Sequence, residues 1–117
     1  MTKICTSIEQ SKKLAEILPL ESADMCFINN KPHLGFLCEE YHEFGDTILQ
    51  DYYPCWSLVA LLNLMICPNL EEYIKGKWDL TTFTDESLKT PIEVQDCESA
   101  LDACYEMILK LHKLKML

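Results

Sequence analysis

The sequence predicts an α+β fold: a small single domain over residues 1–117, with about three helices (7–18, 57–66, 99–114) and three to four short, mainly antiparallel strands. Three observations predict it. Apolar residues make up 49% of the 117, enough for one modest core and too many for a disordered chain. Three segments carry helical periodicity or an unbroken apolar run with a capping residue ahead of it. Between them lie short apolar stretches cut by Asn, Pro and Gly, without the regular strand–helix alternation of a parallel sheet.

The first helix follows from Thr6 with Glu9, or Ser7 with Gln10, as a capping box, from Ile8, Leu14, Ala15 and Leu18 on one face, and from Pro19 as its stop. Met25–Ile28 and His33–Leu37 then form two apolar runs around Asn29, Asn30, Lys31 and Pro32, which reads as a β-hairpin. A polar excursion over 39–53 leads to Ser57, an N-cap for a nearly all-apolar helix that Pro68 ends and that is expected to be packed on most sides. The stretch 73–83 and the short Ile92–Val94 are strand-like in composition. The final helix is the plainest: Leu101, Cys104, Met107 or Ile108, Leu111 and Leu114 recur every three or four positions behind Ser99 and Asp102.

Charge narrows the function classes. The chain holds 19 acids against 10 bases, a net charge of −9, and every base is a lysine. Without arginine there is no bidentate fork for phosphate or guanine, so direct nucleic-acid binding is not expected. The basic cluster Lys110, Lys113 and Lys115 is explained as cations that complement the dipole at a helix C-terminus. The opening residues contain no apolar signal-peptide core. The most apolar stretch, Leu58–Cys67, is half of the ~20 residues a bilayer span needs, so a soluble cytoplasmic protein without membrane contact is expected.

Seven cysteines stand at 5, 26, 38, 55, 67, 97 and 104, an odd number with no C-x-x-C pair, which predicts reduced thiols packed as small hydrophobes. Cys55 is the one candidate nucleophile, because it precedes Trp56 and a predicted helix N-terminus, where a dipole favours thiolate. Cys38 and His42 are four apart but lack the further ligands that a metal site needs. Glu71, Glu72 and Asp102 read as helix flanks or dipole partners. No catalytic, cofactor-binding or metal residue is therefore assigned.

The candidate partner surface is acidic and aromatic. Between Pro32 and Ile74 there are seven acids and no lysine, and Glu39, Glu40, Glu43, Asp46 and Asp51 adjoin Tyr41, Tyr52 and Tyr53. Carboxylates without cations stay in water, because burying each one costs several kcal/mol. If the segment is an interface, the acids would steer a basic partner and the tyrosines would anchor it.

Four blocks carry a family resemblance: Ser7–Leu14, Ala23–Met25, Pro54 with Trp56–Leu58 and Leu61–Leu62, and Asp102–Cys104 with Glu106–Leu111. Together they resemble an uncharacterised family of small proteins encoded by phages, prophages and mobile elements of gut Bacteroidetes. The resemblance implies a bacterial cytoplasm and a phage-related accessory role, and it implies no catalytic residue. The leading expectation is a non-enzymatic accessory protein that binds another protein, with homo-oligomerisation left open. Two alternatives stand beside it, a small thiol enzyme using Cys55 and an acidic DNA mimic that counters host defence.

Overall fold

In the computed structural model the described residues are 4–28, 30–34 and 52–117, without the side chain of Tyr52. They form three α-helices and two three-stranded antiparallel sheets, an α+β fold. The chain divides into two units, Met1–Ala60 and Leu61–Leu117.

In the first unit, helix α1 (Ile8–Ile17) starts at Ser7. Of the two capping boxes in the sequence, the Ser7 pair forms: Gln10 N donates to Ser7 Oγ at 3.1 Å and Ser7 N donates to Gln10 Oε1 at 3.0 Å. Thr6 is used elsewhere, as described below. Leu14 and Leu18 are buried, and a 3₁₀ turn at Leu20–Ser22 leads into the sheet. Its strands β1 (Met25–Ile28), β2 (Lys31–Leu34) and β3 (Tyr52–Cys55) lie in the order β2-β1-β3.

The hairpin turn is tighter than the Asn-Asn-Lys-Pro stretch implies. Ile28 pairs with Lys31, because Asn30 takes a left-handed φ of 66°, which asparagine tolerates. Lys31 and Pro32 therefore belong to β2, and residues 35–37 of the expected strand lie outside the described residues. Strand β3 corrects the reading of 39–53 as one polar excursion, since Tyr52–Cys55 pairs with Met25–Ile28 along its whole length. Alternation along the paired strands puts Met25, Phe27, Tyr53 and Cys55 on one face, where they form a cluster with Cys5 and Ile8.

Helix α2 (Leu58–Leu62) is capped as expected, with Ala60 N donating to Ser57 Oγ at 3.2 Å. It is half the predicted length and is not packed all round, since Val59 is 64% exposed. Beyond its end the chain is held from a distance. Leu64 and Met65 tighten into i→i+3 bonds. Ile66 then gives its N–H to Thr82 Oγ1 at 3.0 Å and accepts from the same hydroxyl at 2.7 Å, and Cys67 turns left-handed.

In the second unit, β4 (Asn69–Ile74), β5 (Lys77–Phe83) and β6 (Pro91–Cys97) form a meander in the order β4-β5-β6, and α3 (Ala100–Lys113) packs on β5 and β6. The six described strands exceed the expected three to four, because the strand-like stretch 73–83 divides at a two-residue turn into the end of β4 and the whole of β5, and because β3 is a strand only by pairing. That turn, Lys75–Gly76, needs φ +83° at Gly76, whose N–H is held by Glu72 Oε2 at 2.9 Å. Leu80, Thr82 and Ile92 on the inner face of the sheet are buried, as are Leu101, Cys104, Met107, Ile108 and Leu111 of α3. Ser99 caps α3 by accepting from Asp102 N at 3.0 Å. At the other end Lys115 turns left-handed (φ 63°), and Met116 and Lys115 donate back to Leu111 and His112, each at 2.9 Å.

Candidate partner-binding surface

The sequence-predicted surface is divided by the structure. Glu39, Glu40, Tyr41, Glu43, Asp46 and Asp51 lie outside the described residues, as do Cys38 and His42. Tyr52 is placed by its backbone, paired with Ile28. Tyr53 is already engaged: half-buried beside Cys5, Met25, Phe27 and Cys55, it has Lys12 Nζ 4.7 Å from its ring centroid. Its ring helps to cover the core of the first unit and holds a cation of its own chain.

Glu71 and Glu72 correct the sequence reading. They flank no helix and sit in the middle of β4. Pairing of Asn69 with Thr81 and of Thr81 with Glu93, and of Glu71 with Asp79, lines these side chains across three strands on the face opposite Leu80 and Thr82. Together with Gln95 they line a shallow polar concavity. The register slips on β6, where Gln95 and Asp96 stand opposite Asp79, Asp96 is left-handed (φ 60°), and Asp96 N donates to Asp79 Oδ1 at 3.1 Å. Tyr73 OH on β4 donates to Asp96 Oδ1, and Asn69 Nδ2 donates to Glu71 Oε1 at 3.2 Å. This acidic face is absent from the sequence reading, although the polar alternation Asn69-x-Glu71, Asp79-x-Thr81 and Glu93-x-Gln95 contains its signal.

The candidate nucleophile is poorly set for chemistry. Cys55 is fully buried at the end of β3, ahead of a helix of only five residues. Burial, then the neighbouring Cys5, pushes its thiol well above the ordinary range, opposite to the expected effect of a helix dipole. Burial likewise raises Cys5, and it pushes Cys104 up to about 12. Cys97, half-buried, is raised by burial and then by Glu106 and other acids around it. Cys67 alone of the six described thiols is exposed.

A reactivity order follows. In the native protein near neutral pH, Cys67 should react with a disulfide reagent first and Cys97 more slowly, while Cys5, Cys26, Cys55 and Cys104 should wait for unfolding. Mass spectrometry of the labelled peptides reads the order. Labelling of Cys55 ahead of Cys67 would revive the thiol enzyme.

Among the described residues no three His, Cys, Asp or Glu side chains converge as metal ligands would, and no helix is long and apolar enough to cross a membrane. No protein-family model, curated protein or solved structure matches the chain.

Proposed function

We propose that this protein is a non-enzymatic accessory protein, associated with a phage or mobile element, that works in the bacterial cytoplasm by binding a protein with a basic surface. The observation that carries the reading is the carboxylate row Glu71, Asp79 and Glu93 across β4, β5 and β6, in a chain of net charge −9. Such a surface speeds encounter with a cationic partner and repels nucleic-acid phosphate. The acids of 39–51 contribute five of the chain's 19 carboxylates.

The test is a tagged pull-down from the native host, read by mass spectrometry as added salt shortens the Debye length from about 10 to 3 Å. Two variants accompany the wild type, Glu71→Gln with Glu93→Gln, and the four amides at Glu39, Glu40, Glu43 and Asp46. A specifically enriched partner should be lost with salt and depleted by at least one variant. Enrichment of nothing, or of a partner indifferent to salt and to both variants, would sink the reading. A DNA-binding partner displaced from the bait by duplex DNA would turn it to DNA mimicry.

A further inference from the structure

The two sheets leave four edge strands among the described residues: β2 and β3 in one, β4 and β6 in the other. An open edge offers a row of amide and carbonyl groups to any extended chain, and proteins commonly block it with proline, lysine or a covering element. Three of the four edges carry such blocks. Strand β2 contains Lys31 and Pro32, and β3 contains Pro54. Strand β6 begins at Pro91, and Lys110 of α3 reaches over to donate from Nζ to Glu93 O at 2.8 Å.

Strand β4 differs. Its sequence, Asn69-Leu-Glu-Glu-Tyr-Ile, has no proline and no lysine, and all but Leu70 are exposed, with Tyr73 at 46% and Ile74 at 60%. What it does carry is a pair of carboxylates at its centre. Antiparallel pairing of two copies about that centre would set Glu71 and Glu72 of one against Glu72 and Glu71 of the other, and like charges opposed across a ladder destabilise it. On its own face Glu71, beside Asp79, favours a cationic strand. Exclusion of one occupant and attraction of the other thus both involve Glu71.

We infer that β4 is a strand-addition edge, and that its occupant is an extended segment of the partner protein in which basic and β-branched apolar residues alternate. This rests on the protein-binding reading above and specifies its mode. Alternation would place the basic side chains on the face of Glu71 and Asp79, and the apolar ones on the face of Leu70, where the Glu72 carboxylate is turned to the Gly76 N–H. Main-chain hydrogen bonds to β4 would supply the affinity.

The experiment uses the full chain and the capped peptide Lys-Val-Lys-Val-Lys-Val-Lys, with hydrogen exchange and amide chemical shifts as readout. Saturable binding should slow exchange within 69–74. The same peptide N-methylated at its three valines keeps its charge but loses three of its seven residue N–H donors, and should bind about tenfold more weakly or worse. Glu71→Lys should weaken the parent peptide about fivefold while the melting temperature holds. Three results would overturn the inference: no change at 69–74, equal binding of the N-methylated peptide, or protection elsewhere. Protection over 39–51 in particular would leave the protein-binding reading standing while removing β4 from it, and the pull-down tests that reading independently of the peptide.

Discussion

Replacing Trp56 with alanine should lower stability by about 3–5 kcal/mol, a large part of the 5–15 kcal/mol typical of a folded protein. Trp56 has no exposed surface and ties three segments of the first unit together. Its N–H donates to Thr6 Oγ1 at 3.2 Å, its carbonyl accepts from Thr6 N at 2.9 Å, and its indole Nε1 donates to Ser22 Oγ at 2.9 Å. Thr6 Oγ1 in turn shares a hydrogen bond with Ser11 Oγ of α1 at 2.7 Å, and both residues are fully buried. On the next residue, Ser57 N and Oγ both donate to the carboxylate of Asp24. Alanine removes the ring from a packed site and leaves a cavity. Trp56→Phe keeps most of the apolar volume and loses the Nε1 bond, so it should cost about 1–2 kcal/mol. Urea unfolding measures both, as a fall in midpoint at constant slope. A Trp56→Ala loss below about 1 kcal/mol would mean that the first unit does not depend on this packing.

Thr82→Val is the second large effect, at about 1–3 kcal/mol. Valine matches threonine in shape, so the change opens no cavity and isolates the hydroxyl. That hydroxyl serves both the N–H and the C=O of Ile66 and so holds the segment that follows α2. Without it the Ile66 amide should exchange with solvent faster, whereas Thr82→Ser, which keeps the oxygen, should leave its protection in place. Equal protection in Thr82→Val and wild type would show that the segment after α2 is held by something else.

These two sites mark where the sequence could and could not be read. Helices α1 and α3 were legible because their signals are local: Ser7 meets Gln10 and Ser99 meets Asp102 only three positions away, and the apolar spacing within each helix points to one face. Helix α2 was legible in existence and not in length. Every residue from Leu58 to Leu62 is apolar, so no periodicity announces an end, and Thr82, which holds Ile66 just beyond it, lies 16 positions on from Ile66. Strands β3 and β4 were missed for a related reason. Tyr52–Cys55 contains a proline, and Asn69–Ile74 is mostly exposed, so neither shows alternation of buried and exposed residues until its partner strand is known.

The candidate site divides along the same line. Acids that are neighbours in the chain, such as Glu39 and Glu40, are visible as a run. Glu71, Asp79 and Glu93 become neighbours only through the register of three strands.

By itself the sequence determined the α+β class, the capped ends of α1 and α3, the excess of negative charge, and the absence of arginine, because each depends on composition or on residues within a turn of one another. Tertiary structure alone decided which described thiols are buried and that Cys67 is exposed, that Lys12 lies over the Tyr53 ring, and that one edge among the described strands is left without proline or lysine. Burial and edge position come from strand pairing and packing between distant segments, and no window of adjacent residues records them.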